Sequence, residues 1–166
     1  MSYNYFKTDF QSAGENYKIL IACGKDVRAR LGFTYWDPPI PIEDFKNDVL
    51  AGKVYSVLDE GRLIATFTAS PEPLSYYTPS LWSNPTMKAM YVNHLGVLPE
   101  HQGKGVGTWC MERVEELTRA EGCAAVRLDA YEKNEFTLKF YEKLGYERRE
   151  VIMYKEMPLQ CFEKLF

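Results

Sequence analysis

Apolar positions recur along the chain with two different periods, and the switches between them mark the elements. Residues 3–7 read as a strand. From 11 to 31, Tyr17, Leu20, Ile21 and Val27 return at helical spacing, and Gly32 supplies a stop. Trp36-Asp37-Pro38-Pro39 is loop, because two prolines forbid regular pairing, and residues 43–51 read as a helix ended by Gly52. Apolar, β-branched runs at 54–58 and 63–69 flank Asp59-Glu60-Gly61-Arg62, which predicts a hairpin. Residues 70–85 carry four prolines with Tyr76, Tyr77 and Trp82, the composition of an ordered loop. A strand at 90–97 leads through a glycine-rich turn into a helix at 106–121. A strand at 123–130, a helix at 135–144 and a strand at 146–155 follow; Pro158 breaks the run, and 160–165 is the last strand. The order is β-α-α-β-β-β-α-β-α-β-β. Three consecutive strands exclude a purely doubly wound parallel sheet and predict an α/β protein with a mixed sheet and helices on both faces.

Without a repeat, low-complexity tract or linker, the 166 residues form one expected domain, 1–166, and 46% hydrophobic residues suffice for its core. A formal net charge of −3 gives no basic field for nucleic acid or an anionic membrane, which favours a small acceptor over a polyanionic one. Cys23, Cys110, Cys123 and Cys161 are scattered, with no C-x-x-C pair, and His94 and His101 are the only histidines, so no metal site is expected. Four free thiols, no apolar leader at the start and no apolar run long enough to span a bilayer predict a cytoplasmic protein.

The chemistry centres on Pro99-Glu100-His101-Gln102-Gly103-Lys104-Gly105-Val106-Gly107-Thr108, between a strand and a helix. Glycines permit close backbone approach, and amides from Gly103 to Thr108 at the positive end of a helix form a nest for phosphate or pyrophosphate, with Lys104 adding a point charge. The Walker A and dinucleotide fingerprints both fail here: Gly105 follows Lys104, and Thr108 stands where the latter needs glycine. A tight turn without a ligand is the bland alternative.

Gln102-x-x-Gly105-x-Gly107 resembles the Q/R-x-x-G-x-G/A signature of the GNAT superfamily of N-acetyltransferases, and Leu95-Gly96-Val97 precedes it as in that family. Asn134-Glu135-Phe136-Thr137-Leu138-Lys139-Phe140-Tyr141-Glu142-Lys143-Leu144-Gly145-Tyr146 resembles the family's N-x-x-A-x-x-F-Y-x-x-x-G-F segment, with Thr137 for alanine and Tyr146 for phenylalanine. The element order matches as well. The resemblance implies a mostly antiparallel sheet of about seven strands and transfer of an acetyl group from acetyl-CoA to a primary amine, by direct attack in a ternary complex. The acceptor is a small molecule or a peptide N-terminus, and a homodimer is compatible. A rival is an acyl-CoA-binding module of the same fold without catalysis.

The resemblance also implies roles. Gln102 to Thr108 would bind the coenzyme's pyrophosphate, and the backbone of Leu95 and Val97 would pair with pantetheine, an amide near Leu95 meeting the thioester oxygen as it becomes an oxyanion. Tyr141 would be the general acid for the departing thiolate; otherwise it is a core aromatic beside the Phe136, Phe140 and Leu144 stripe. Asn134 would bond the coenzyme or cap the following helix. For the base, strand alternation puts Tyr91 and Asn93 on one face and His94 on the other, and a bulge would be needed to turn His94 inward; Glu72 or Glu43 through water are alternatives. Trp36, Tyr76, Tyr77 and Trp82, with Tyr91 and Asn93, are the candidate acceptor pocket, where aromatic faces suit an ammonium; packing of the loops onto the core is the competing reading. Cys110, near a helix start, reads as core because Val114 and Leu117 share its face.

Overall fold

The computed structural model describes residues 2–166. Seven strands, β1 (Tyr3–Lys7), β2 (Val54–Asp59), β3 (Arg62–Ser70), β4 (Ala89–Val97), β5 (Ala125–Tyr131), β6 (Glu147–Tyr154) and β7 (Met157–Leu165), make one mixed sheet of order β1-β2-β3-β4-β5-β7-β6. The helices are α1 (Ala13–Leu31), α2 (Ile42–Leu50), α3 (Val106–Ala120) and α4 (Glu135–Lys143). The β4–β5 ladder is parallel, whereas β1–β2, β2–β3, β5–β7 and β6–β7 run antiparallel. This is the α/β architecture and the element order read from the pattern. Backbone contacts divide the chain into two compact units: one runs through Ala69 and resumes over His94–Cys110, and the other comprises Ser70–Asn93 and Met111–Phe166.

In the first unit the β2–β3 hairpin closes at Asp59↔Arg62 through Glu60 and Gly61, both left-handed, the geometry that matches strand twist. Ala13 and Leu20 of α1 pack with Phe45, Val49 and Val54 in one apolar cluster. Two glycines set how closely backbone approaches α1. A Cβ on Gly24 would lie 2.0 Å from the Trp36 carbonyl oxygen, and one on Gly96 of β4 would lie 3.2 Å from Leu20. Asn16, fully buried on α1, has its side-chain amide nitrogen within 3.1 Å of Thr8 Oγ1 and 3.0 Å of Ser56 and Thr66 hydroxyls, so this polar group enters the core with partners.

In the second unit Tyr77, Leu81, Trp82, Ala89, Tyr91, Ala125 and Cys161 form a core cluster that joins the segment before β4 to β4, β5 and β7. Arg127, 1% exposed, ties it down. Its Nε donates to Glu163 Oε2 (2.8 Å), Nη1 to Tyr91 Oη (3.0 Å) and Nη2 to the Asn84 carbonyl (2.7 Å), while the guanidinium lies 5.0 Å from the centre of the Trp82 ring. The proline-rich loop is therefore ordered by a buried ion pair as well as by apolar contact.

Two expectations are corrected. β7 begins at Met157, so Pro158 lies inside the strand, opposite Met153 of β6. A proline near a strand's first residue costs little, and its carbonyl still accepts the Glu132 N–H at 2.9 Å. On α4 the buried stripe is Leu138 and Tyr141, whereas Phe136 is 72% exposed. The Asn134 cap fixes the start of the helix and so its phase, which turns Phe136 outward.

Candidate active site

Beyond β4, one 3-10 turn at Pro99–His101 and the glycine turn lead into α3. Gly103 (φ +71°) and Gly105 (φ +85°) are left-handed, and nothing stands within 4 Å of where either Cβ would be. Trp109 N–H to the Gly105 carbonyl, at 2.9 Å, is the first helical bond. Among the described residues, the N–H groups of Gly103, Lys104, Gly105, Val106, Gly107 and Thr108 have no protein partner. Free donors at the positive end of a helix are groups that can take up an anion. Lys104 is exposed beside them.

The strand leading into the turn has its own bond pattern. Leu98 N–H donates to the Ile64 carbonyl of β3 at 2.9 Å, so by alternation the backbone groups of Leu95 and Val97 point away from β3. The Val97 carbonyl takes two side-chain donors, Gln102 Nε2 at 2.9 Å and the Cys23 thiol at 3.1 Å. Gln102 thereby fastens the turn to the end of β4. An added strand would have to engage Val97 through its N–H.

His94 adopts φ +51°, which breaks the alternation of β4 at that residue. This conformation is unfavourable for a residue with a Cβ, and such strain collects at functional sites. Its Nδ1 is buried without a hydrogen-bond partner, and burial lowers the pKa to about 4, so the imidazole is neutral at physiological pH. The Trp36 ring is its neighbour, with centroids 6.1 Å apart.

Tyr141 is buried in the second unit, with ring centroids 5.0 Å from Phe140, 5.6 Å from Phe162 and 5.9 Å from Tyr146. Asn134 caps α4 by accepting the Thr137 N–H at 3.4 Å. The predicted acceptor residues fall into separate groups. Trp36 stands with His94 in the first unit, while Tyr77, Trp82 and Tyr91 form one aromatic cluster in the second, with Tyr76 packed against it. Trp82 is 4% exposed and Arg127 covers its ring, so it packs the loop. Asn93 is half-buried. Glu43 is exposed and pairs with Lys46 at 3.6 Å, and Glu72 is exposed as well.

Asp129 was missed in the sequence. Its Oδ2 accepts hydrogen bonds from Tyr76 Oη (2.9 Å) and Tyr77 Oη (2.6 Å), and burial raises its pKa against those two bonds. The available signal was a pair of charges, Arg127 and Asp129, two apart and so on one face of an otherwise apolar strand. Among the described residues no group of three or more His, Cys, Asp or Glu can hold a metal ion. No helix there is long and apolar enough to cross a membrane.

The sequence profile of the acetyltransferase (GNAT) family matches residues 19–146. Solved structures agree with it in fold. An acetyltransferase of the GNAT family from Streptococcus agalactiae superposes with a TM-score of 0.83 at 15% identity, covering 99% of this chain and 95% of the other. The PaiA N-acetyltransferase from Thermoplasma acidophilum, solved in complex with coenzyme A, gives 0.73 at 14% identity and covers both chains completely. The polyamine N-acetyltransferase of Drosophila melanogaster gives 0.72 at 17% identity, covering 99% of this chain and 100% of that one. The profile spans the glycine turn, His94 and Tyr141 alike, and with that match the chain belongs to the GNAT family of acetyltransferases, enzymes whose co-substrate is acetyl-CoA.

Proposed function

We propose that residues 1–166 act as one N-acetyltransferase domain in the cytoplasm, moving an acetyl group from acetyl-CoA to the primary amine of a small molecule or peptide N-terminus by direct attack. The observation that carries this reading is the row of six unpartnered N–H groups from Gly103 to Thr108, a donor set that fits a pyrophosphate. Leu95 and Val97, turned away from β3, would offer strand-edge groups to the pantetheine arm, and an amide near Leu95 would stabilise the oxyanion. Four buried free thiols suit a reducing compartment. Formation of N-acetylagmatine by the Drosophila relative supports an amine acceptor.

The chain's own groups supply two proton transfers. As the amine nitrogen bonds the thioester carbon it becomes acidic, and the partnerless Nδ1 of neutral His94 takes its proton. As the carbon–sulfur bond breaks, the Tyr141 hydroxyl protonates the departing thiolate. Tyr141→Phe keeps the ring contacts and deletes that proton. It is expected to lower kcat for thiol release by about 10²-fold or more, with acetyl-CoA affinity unchanged by calorimetry. Equal kcat in the two proteins would assign Tyr141 to packing alone.

A further inference from the structure

Asp129 sits mid-strand on β5 with its carboxylate in an aromatic surround. Tyr76 and Tyr77 bond the same oxygen, Oδ2, and the Tyr76 ring stacks on Tyr154 at 4.2 Å. The other oxygen, Oδ1, receives no hydrogen bond from the protein and is not sealed from solvent. Among the described residues, no Lys, Arg or His bonds the carboxylate. The guanidinium two residues away is committed to Glu163, Tyr91 and Asn84, and Lys155 lies over the Tyr154 ring at 5.3 Å.

A largely buried carboxylate without a countercharge is half of an ion pair, and protein interiors seldom leave such a group alone. Two phenol donors fix its orientation without neutralising it. A ligand that completes the ion pair would donate N–H to Oδ1, carry positive charge and cover aromatic surface with methylene groups. An alkylammonium meets all three requirements, whereas among the described residues no group of three or more His, Cys, Asp or Glu could hold a metal there.

Contact with a carboxylate stabilises an amine in its charged form. A nucleophilic amine has to be neutral. The nitrogen held at Asp129 is therefore not the one that reacts. We propose that Asp129, oriented by Tyr76 and Tyr77, anchors the charged end of an acceptor with two amino groups, an alkyl diamine or polyamine, whose other nitrogen is acetylated. This rests on the acetyl-transfer reading above and narrows its substrate class.

The test measures kcat/KM for thiol release from acetyl-CoA with α,ω-diaminoalkanes from diaminopropane to diaminooctane, each against the n-alkylamine of equal length. For the best length, the wild type is expected to favour the diamine by about tenfold or more. Asp129→Asn keeps the shape and an oxygen acceptor but loses the charge, and it should bring the ratio close to one. Equal rates for diamine and monoamine, a preference that survives Asp129→Asn, or no release from any diamine by a protein that binds acetyl-CoA would each overturn the proposal. A protein that does not bind acetyl-CoA in calorimetry would instead overturn the acetyl-transfer reading beneath it. If Asp129→Asn does not fold, the wild-type ratio alone decides.

Discussion

The thiols of Cys23, Cys110 and Cys161 are each pushed up to about 12 by burial, and that of Cys123 is raised for the same cause. None is a thiolate near neutrality, which removes a cysteine nucleophile for an acetyl-enzyme intermediate and fits the direct attack proposed above. His94 is moved the other way, from 6.5 down to about 4. Its folded pKa lies below its unfolded one, so between those values the unfolded chain binds the extra proton. The stability gained from burying the neutral ring is complete above pH 6.5 and is lost as pH falls towards 4. Between pH 7 and pH 5 the loss amounts to about 2 kcal/mol. His94→Asn accepts the positive φ without a titrating ring, and denaturant melts should show this part of the pH dependence gone. A wild type equally stable at both pH values would show that the ring is not held neutral by burial. For turning His94 inward the sequence suggested a bulge, whereas the break in alternation is a left-handed φ at His94 itself. Asp129 went unread because its tyrosine partners lie about fifty positions away in sequence, at separations of 53 and 52.

Elements whose pattern is local were legible. The glycine turn announced itself through spacing, and the hairpin at Glu60-Gly61 through turn chemistry, because each is fixed by neighbours in sequence. The start of β7 was not, since Pro158 reads as a breaker unless its place at the very start of a paired strand is known, and that place is set by pairing with β6 and β5. The buried face of α4 was misjudged because apolarity alone does not set it: Phe136 is more apolar than Tyr141, yet Tyr141 is buried and Phe136 exposed. For the turn itself, Gly105→Val places a β-branched residue at φ +85° in front of the free amides. It should weaken acetyl-CoA binding by about tenfold or more in calorimetry, by loss of donors rather than of fold. Gly122→Val is the control, because Gly122 has φ +70° just past the other end of α3 and imposes a similar strain, about 1–2 kcal/mol, away from the nest. Equal loss of affinity in both variants would make the effect one of stability, and unchanged affinity in Gly105→Val would remove the turn from the coenzyme site.

At the scale of the whole molecule, the net charge of −3 offers an anionic coenzyme no long-range attraction. Binding would have to come from short-range groups, and the N–H row is the set proposed above for that role. Such donors exist as a set only in the folded chain, since unfolding disperses them into water. Ligand binding is therefore coupled to the stability of the fold. At a coenzyme concentration of about 100 times its dissociation constant the folded state gains roughly 2.7 kcal/mol, which for a chain of this length raises Tm by about 5 to 10 °C. If the nest holds the pyrophosphate as proposed, the shift should appear with coenzyme A as well as acetyl-CoA, because the two share that part. The rival reading, a module of the same fold that holds acyl-CoA without transferring it, predicts the same shift. It separates from the enzyme only when amines are added: thiol release marks transfer, and a full shift with no release from any amine tested would favour the binding module. No shift with either ligand would leave the six amides as an ordinary helix start and remove the basis for both readings.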